Sequence, residues 1–174
     1  MTERYRRLSL GEPHLPLRGA FSCGEEVLDL YLRERAHKEM GQHVAAVWIL
    51  YDAHYDRIAG YYTLSAVAVE RAELPPSLTH RWARYEVYPA TLLGRLAVDR
   101  DYQGRRLGAR LLLDALARAL GASRQVASVA VLTDAKHDAA QSFYERYGFQ
   151  LLSTEQSGRR LFIPMRTIEE LFAE

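Results

Sequence analysis

Residues 93–116 decide the fold, and they read LGRLAVDRDYQGRRLGARLLLDAL. Leu96, Ala97 and Val98 form an apolar run of strand length, whereas the leucines and alanines from Leu107 onward recur at helical spacing. Glycines lie where the period changes. The stretch therefore predicts a strand, a turn and a helix in succession.

The turn into this helix is predicted to bind an anion. A helix that begins among glycines leaves its first N–H groups unpaired, and these donors attract phosphate together with the positive end of the helix dipole. Arg105 and Arg106 add charges that can form forked hydrogen bonds with phosphate oxygens. A glycine-containing turn before an amphipathic helix is also common as plain structure, so the loop alone leaves both interpretations open.

The composition is that of a soluble globular protein. The chain has 174 residues, of which 48% are hydrophobic and 26% charged, and this length is enough for a full core. We expect one domain spanning residues 1–174. The net charge of +1 gives no overall attraction to nucleic acid, so any basic surface must be local.

Targeting and metal signals are missing from the sequence. The lone Cys23 excludes an internal disulfide, fits a reducing compartment and is expected to be buried at a helix start. The longest apolar run, residues 44–51, is too short to span a membrane, and no leader is found. We therefore expect a cytoplasmic protein with no membrane contact. The six histidines lack metal-ligand spacing, so no metal site is predicted.

Hydrophobic periodicity predicts the remaining elements in order. Strands are expected at residues 5–10, 45–51, 58–69, 91–98, 126–133, 149–154 and 160–164, and helices after Ser22, from Leu107, at 137–147 and from Thr167. The first helix is expected to bury Val27, Leu28, Tyr31, Leu32 and Ala36. This order predicts an α/β fold with a mixed sheet, in which a parallel β-α-β crossover joins the strands at 91–98 and 126–133 and the hairpins are antiparallel.

Three helix ends carry capping signals. Ser22 with Glu25, and Thr167 with Glu170, have the spacing of capping boxes. Gly148 stands where a left-handed cap would end the helix at 137–147. The last two strands are expected to turn across residues 156–158.

Residues 71–90 form an unusually long connection. It carries Arg81 and Arg84 among the aromatics Trp82, Tyr85 and Tyr88. Such interleaving suits contact with a nucleic acid or an acceptor substrate, and loops of this length are more often functional than idle. A loop that packs on its own Trp82 explains the same residues, so both interpretations stay open.

Two motifs resemble the GNAT N-acetyltransferases. Residues 103–108, QGRRLG, are similar to the Q/R-x-x-G-x-G/A loop that binds the pyrophosphate of acetyl-CoA, although Arg106 stands where the family most often has glycine. Residues 142–149, SFYERYGF, resemble the F-Y-x-x-x-G-F element of that family. The order of elements is similar to the GNAT fold, a central mixed β-sheet with a parallel β-α-β crossover and flanking helices.

This resemblance implies acetyl-CoA as cosubstrate. It assigns acetyl-CoA binding to Leu96, Ala97, Val98, Gln103, Gly104, Arg105, Arg106, Leu107, Gly108 and Ala109. The strand at residues 96–98 would offer N–H groups to the pantetheine and the thioester carbonyl. Tyr144 would face the thioester sulfur, and a phenol with a pKa of about 10 can donate a proton to a departing thiolate. The alternative is that Tyr144 only packs beside Phe143.

No general base stands out in the sequence. The available carboxylates are expected to be caps or surface residues: Glu70, Glu73, Asp99, Asp134 and Asp138. A missing base is tolerable where the acceptor amine is already largely neutral, which favours an α-amine over a lysine amine.

Longer agreement narrows the resemblance to one group. Residues 21–32, 58–65, 88–99 and 160–165 resemble the GNAT toxins of bacterial type II toxin–antitoxin modules. Those toxins acetylate the α-amine of aminoacyl-tRNA, block translation and are neutralised by a ribbon-helix-helix antitoxin. The resemblance implies charged tRNA and such an antitoxin as partners, and it leaves a homodimer open. Candidate tRNA contacts are Arg33, Arg35, Arg81, Arg84 and Arg95, followed by Lys38 and Lys136.

Two other functions stay open at this point. The chain could be a general GNAT enzyme that acetylates a small-molecule amine or a protein N-terminus. It could also be a non-catalytic domain that binds acyl-CoA or an antitoxin and acts as a co-repressor, an interpretation favoured only by Arg106.

Overall fold

The computed structural model describes residues 3–152 and 158–173. Its strands are β1 (Tyr5–Ser9), β2 (Ala46–Asp52), β3 (Arg57–Glu70), β4 (Val87–Val98), β5 (Ala130–Asp134), β6 (Gln150–Leu151) and β7 (Arg160–Pro164). Its helices are α1 (Glu26–Leu30), α2 (Ala36–Gly41), α3 (Pro76–Thr79), α4 (Leu107–Ser123), α5 (Asp138–Glu145) and α6 (Met165–Phe172). A π-helical turn, Tyr31–Arg35, joins α1 to α2, and 3₁₀ segments cover Glu12–Ala20, Arg71–Glu73 and Arg100–Tyr102.

The strands are hydrogen-bonded in the order β1-β2-β3-β4-β5-β7-β6. β4 and β5 are parallel, which is the pairing that a crossover through α4 requires. Antiparallel pairing joins β1 with β2, β2 with β3, β5 with β7 and β6 with β7. The predicted mixed α/β sheet with one parallel crossover is therefore confirmed.

Contacts divide the chain into two compact units. The first comprises Met1–Ser65 and Gly94–Ala115, and the second Ala66–Leu93 and Leu116–Glu174. The core of the first includes Phe21, Tyr31, Leu32, Ile49 and Tyr61. The core of the second includes Val69, Tyr88, Leu132 and Phe162. The single domain expected from chain length stays a prediction.

The predicted capping box at Ser22 is wrong. α1 begins at Glu26 with Glu25 at the N-cap position and no side-chain cap. The Ser22 N–H instead donates to Asp99 Oδ2 (3.0 Å), a residue 77 positions away in sequence. Cys23 lies in the loop before the helix and is half-buried rather than buried. Val27 falls in the first turn and is 69% exposed, whereas the other four residues of the predicted stripe are buried.

The C-terminal helix also begins differently from the prediction. α6 starts at Met165 directly after β7, so Thr167 lies within its first turn and does not cap it. The N–H of Met165, the first helical residue, is instead satisfied by the Val129 carbonyl (2.8 Å). Gly148 has φ +97° after α5, which confirms the predicted left-handed cap.

The last hairpin and the fifth strand differ from prediction in extent. β5 is confined to Ala130–Asp134, since α4 runs to Ser123 and Val126 is 79% exposed. β6 pairs with β7 as expected. Thr154 and the turn residues Gln156 and Ser157 lie outside the described residues.

The connection at residues 71–90 folds on its own aromatics. It contains a 3₁₀ turn and α3, and β4 already begins at Val87. Trp82 packs edge-on against Tyr88 with ring centroids 5.1 Å apart, and the Tyr88 hydroxyl donates to the Ala83 carbonyl (2.6 Å). The packing interpretation is thus confirmed, while Arg81 and Arg84 point to solvent.

Candidate active site

Buried carboxylates anchor the predicted pyrophosphate loop within the first unit. Asp99 is 2% exposed and accepts N–H groups of Ser22 (3.0 Å) and Asp101 (2.9 Å), so it caps the 3₁₀ turn that opens the loop. Arg57 donates to both Asp99 (3.3 Å) and Asp101 (3.0 Å). The Gln103 side chain then donates to the carbonyls of Cys23 and Val98, each at 3.0 Å. Gln103 therefore fixes the loop with its side chain.

A second buried carboxylate, Asp52, holds the middle of the same loop. Its oxygens accept from the Tyr102 hydroxyl (2.7 Å), the Arg4 guanidinium (2.9 Å) and the His54 N–H (3.0 Å). Burial alone would raise the pKa of Asp52, but these hydrogen bonds outweigh it and lower the pKa to about 2. Sequence reasoning missed Asp52 and Tyr102. The available signal was an acidic residue that ends an apolar strand, as Asp99 also does.

The start of α4 presents unpaired N–H groups. α4 begins at Leu107 and the first bond into the helix is from Arg110 to the Arg106 carbonyl (3.2 Å), so the N–H groups of Leu107, Gly108 and Ala109 precede the first intrahelical acceptor. Gly104 has φ +80° and a Cβ there would meet nothing within 4 Å, so the backbone is open to a ligand. These residues fit the pyrophosphate of acetyl-CoA.

The two loop arginines differ in their surroundings. The Arg105 guanidinium lies 5.4 Å from the Tyr102 ring centroid and donates weakly to the Tyr5 hydroxyl (3.4 Å). Arg106 is exposed, has no side-chain partner in the described part of the chain, and has φ +59°. That φ is the left-handed conformation that glycine adopts freely, so the loop keeps a glycine-like backbone at the position where the family motif has glycine.

The strand predicted to hold the thioester continues past its pairing with β5. The parallel register joins Thr91–Leu93 of β4 to Val131–Thr133, and Leu96, Ala97 and Val98 lie beyond it. The Asp99 N–H bonds the Ala59 carbonyl of β3, while the Val98 carbonyl accepts from Gln103. Because neighbouring residues of a strand face opposite edges, Val98 and Leu96 turn their N–H groups away from β3.

The end of β4 lies close to β3. Gly60 on β3 allows the close packing at this point, since a Cβ there would lie 2.8 Å from the Ala97 carbonyl oxygen.

Tyr144 lies within the second unit in an apolar environment. It is buried, with Phe143 and Phe149 in ring contact at 5.2 and 5.3 Å. Burial raises the pKa of Tyr144, and the neighbouring Thr133 side chain opposes that shift. Thr133 in turn donates to the Leu93 carbonyl (2.9 Å). Tyr144 is accordingly a neutral phenol at physiological pH, the form that can donate a proton.

The carboxylates considered as general bases include a helix cap, two ion-pair partners and an exposed residue. Asp99 is the buried cap described above, which confirms the expectation of a cap. Asp134 forms a two-pronged pair with Arg160, at 2.8 and 2.9 Å, and Asp138 pairs with Arg159. Glu70 is exposed at the rim of a cleft of about 720 Å³ formed by residues 70–87 of the second unit.

The five predicted tRNA-contacting arginines fall into two classes. Arg33, Arg81 and Arg84 are exposed and have no side-chain hydrogen bond or ion pair within the described ranges. Arg35 pairs with Glu39 at 2.9 Å. Arg95 is half-buried with its Cζ 3.5 Å from the centroid of the Tyr31 ring.

The described residues contain neither a membrane-spanning helix nor a metal-binding cluster. No helix there has both the length and the apolar character needed to cross a bilayer. No three histidine, cysteine or acidic side chains of that part of the chain come together in a group that could hold a metal ion.

Comparison with known proteins agrees with this geometry. The model of the acetyltransferase (GNAT) domain matches residues 43–151. A tRNA-acetylating toxin of Mycobacterium tuberculosis is 37% identical over 137 residues, which cover 78% of this chain and 80% of that protein.

Solved structures match the fold along its whole length. AtaT complexed with acetyl-methionyl-tRNAfMet gives a TM-score of 0.89 at 31% identity and covers 97% of this chain and 99% of its own. A second solved structure is a tyrosine-to-phenylalanine mutant of AtaT bound to the C-terminus of the antitoxin AtaR and to acetyl-CoA. Its TM-score is 0.81 at 29% identity, and the match covers 99% of this chain and 100% of the AtaT chain. The chain therefore belongs to the GNAT acetyltransferases, enzymes that take their acyl group from acetyl-CoA.

Proposed function

We propose that this enzyme acetylates the α-amine of an amino acid carried by tRNA and so blocks translation. The similarity that carries this proposal extends over most of the chain. The curated relative is a tRNA-acetylating toxin, and AtaT was solved with the acetylated product on its tRNA. A general acetyltransferase would be similar in the pyrophosphate loop but not along the remainder of the chain.

The proposed step is a direct acyl transfer. The neutral α-amine attacks the thioester carbonyl, a C–N bond forms, the C–S bond breaks and the amine loses its proton to water. Tyr144 gives its phenol proton to the departing CoA thiolate, because both groups titrate in a similar range and burial keeps the phenol protonated. The Leu96 and Val98 N–H groups are the donors we assign to the thioester oxygen.

Acetyl-CoA binding is assigned to residues 103–109. The unpaired N–H groups at the start of α4 would bind the pyrophosphate, and Arg106 would add a charge from its exposed side chain. Gln103 acts through its side-chain bonds to Cys23 and Val98, which hold the loop in place.

The absence of a poised base suits this acceptor. An α-amine has a pKa of about 8, so a useful fraction is neutral at cellular pH, whereas a lysine amine with a pKa of about 10 is almost wholly charged. An enzyme without a base would thus act on aminoacyl ends rather than on lysine side chains.

The exposed arginines are assigned to tRNA phosphates. Arg33, Arg81 and Arg84 have no internal partner in the described residues, so their charges are available. Changing Arg81 and Arg84 together to glutamate should raise the KM for charged tRNA about tenfold or more and flatten its salt dependence, with the KM for acetyl-CoA unchanged. Unchanged tRNA kinetics would remove this connection from the proposed contact surface.

The direct test uses wild-type enzyme, acetyl-CoA and total charged tRNA. After nuclease digestion, mass spectrometry should detect N-acetyl-aminoacyl-adenosine and identify the amino acid. Uncharged tRNA and polyamines serve as controls, and both should give no CoA release. CoA release with a free amine but none with charged tRNA would contradict the proposal and indicate a general acetyltransferase.

The setting of the enzyme follows from the same relatives. We propose that it acts in the cytoplasm, where charged tRNA is available, and that a ribbon-helix-helix antitoxin neutralises it, since an AtaT mutant was solved with the antitoxin AtaR. The product of an adjacent reading frame should co-purify with this chain and abolish acetylation. Light scattering of the free enzyme would decide whether it forms a homodimer.

A further inference from the structure

Arg95 lies on an aromatic stack inside the first unit. Its Cζ is 3.5 Å from the Tyr31 ring centroid. Tyr31 in turn lies nearly parallel to Tyr61, with an interplanar angle of 15° and a centroid distance of 6.3 Å. Both tyrosines are buried, at 2% and 0% exposure. The Arg95 guanidinium therefore packs on two buried aromatic rings.

Hydrogen bonds hold the stacked rings of Tyr31 and Tyr61 in place. The Tyr61 hydroxyl donates to the Leu28 carbonyl (2.7 Å), and the Tyr31 hydroxyl donates to Glu39 Oε2 (2.6 Å). Glu39 also accepts from Arg35 (2.9 Å). The π-helical turn closes with the Ala36 N–H on the Tyr31 carbonyl, and such turns often occur at functional sites.

The 3.5 Å distance from Arg95 Cζ to the Tyr31 ring centroid requires the guanidinium plane to lie nearly parallel to the ring. If Arg95 stood on edge over Tyr31, one of its nitrogens would be driven into the ring at this separation, so the two planes must be close to parallel. Arg95 is half-buried, so part of its side chain is accessible to a ligand. No described carboxylate lies within ion-pair distance of Arg95, so the Tyr31 ring is what orients it.

We propose that the outer face of Arg95 is a stacking platform for a nucleobase at the 3′ end of the tRNA, the adenine that carries the amino acid. Bases stack on arginine planes as they do on aromatic rings. A guanidinium already stacked on Tyr31 pays little further ordering entropy when a base covers its other face. The role differs from a phosphate contact, which needs the N–H edge rather than the face.

The inference rests on the proposed acceptor and refines it. It predicts that binding depends on the planar shape of the side chain, which lysine lacks, and not on charge alone. Arg95→Lys tests this difference, since it keeps the charge and removes the plane. Arg124→Lys is the matched control, because Arg124 is an exposed arginine to which no tRNA contact is assigned.

The experiment measures inhibition of charged-tRNA acetylation by two small ligands. One is an aminoacyl group joined by an amide to the 3′ position of adenosine, which has a base but no phosphate. The other is the same aminoacyl group on a methyl riboside without a base. We expect Arg95→Lys to weaken inhibition by the adenosine ligand about tenfold, with the riboside unaffected, and Arg124→Lys to change neither.

Three results would overturn the platform. These are equal inhibition of wild type and Arg95→Lys by the adenosine ligand, an equal loss with the riboside, and no inhibition of wild type by either ligand. Failure of wild type to acetylate any charged tRNA would instead refute the proposed function, so the two failures are distinguishable.

Discussion

The pyrophosphate loop and Tyr144 are held by opposite kinds of chemistry. Around the loop, charged side chains are buried and paired: Asp52 and Asp99 take hydrogen bonds from arginines, a tyrosine and backbone N–H groups. Around Tyr144 the contacts are the rings of Phe143 and Phe149, and one hydroxyl, that of Thr133. One region is positioned by electrostatics and the other by exclusion of water.

This difference separates binding from chemistry. A loop held by ion pairs loses its shape when a carboxylate is neutralised, so damage there should appear in stability and in acetyl-CoA affinity. A phenol held in an apolar environment keeps its proton through burial, so damage there should appear in kcat.

The largest expected effect is that of Tyr144→Phe. The ring and its packing remain, and only the proton donor is lost, so kcat should fall by about 10² to 10⁴ with the KM for acetyl-CoA within a factor of about two. Steady-state kinetics with charged tRNA measure both. Tyr147→Phe on the same face is the control and should retain activity. A normal kcat in Tyr144→Phe would leave Tyr144 as a packing residue.

Asp52→Asn should have the next largest effect, on stability. The amide keeps the shape but leaves Arg4 without its charge partner, so the free energy of unfolding should fall by about 2 kcal/mol in urea titrations. Acetyl-CoA affinity should weaken as Tyr102 loses its anchor. Asp56→Asn is the control, since that carboxylate bonds the Tyr51 hydroxyl (2.5 Å) at the surface. It should change stability by less than about 0.5 kcal/mol.

The same variant predicts a pH dependence. The folded pKa of Asp52 is lowered from 3.8 to about 2, so its carboxylate stabilises the fold above pH 4 and this contribution is lost as pH falls from about 4 through about 2. The stability gap between wild type and Asp52→Asn should close over that range. A gap that is constant with pH would assign the loss to shape rather than to charge.

Local patterns in the sequence predicted most of the fold. The change of period between Val98 and Leu107 located β4 and α4, and the Gly148 signal located the end of α5. Both signals depend on residues close together in sequence, where propensity and periodicity act. The parallel crossover followed because a helix of this length joins two strands.

Long-range pairings could not be predicted in the same way. Ser22 looked like a cap, yet its N–H is taken by Asp99, and no local pattern contains that partner. Asp52 directly follows the strand expected at residues 45–51, and it is a buried anchor for Tyr102, 50 positions later. The stacking of Arg95 on Tyr31 could not be predicted from the sequence either. The sequence identified Arg95 as a candidate tRNA contact without indicating how its side chain is held.

Thr133→Val tests the polar part of the Tyr144 environment. Valine keeps the shape and removes the hydroxyl that opposes the rise in the Tyr144 pKa and donates to the Leu93 carbonyl. We expect kcat to fall about tenfold, the loss of about 1.4 kcal/mol of transition-state stabilisation, without a change in the KM for acetyl-CoA. Thr133→Ser, which keeps the hydroxyl, should restore the rate. Equal losses in both variants would indicate packing rather than positioning.

Arg106→Gly is the smallest and most diagnostic change, because it should move stability and affinity in opposite directions. Glycine relieves the left-handed backbone at φ +59°, so stability should rise by about 0.5 to 1 kcal/mol, while loss of the guanidinium should weaken acetyl-CoA binding about threefold to tenfold. Arg106→Ala should weaken binding without the gain. His43→Gly, also at φ +59°, should give the gain without the weakening. If Arg106→Gly instead raised both quantities, the N–H groups alone would bind the pyrophosphate and the charge would serve another ligand.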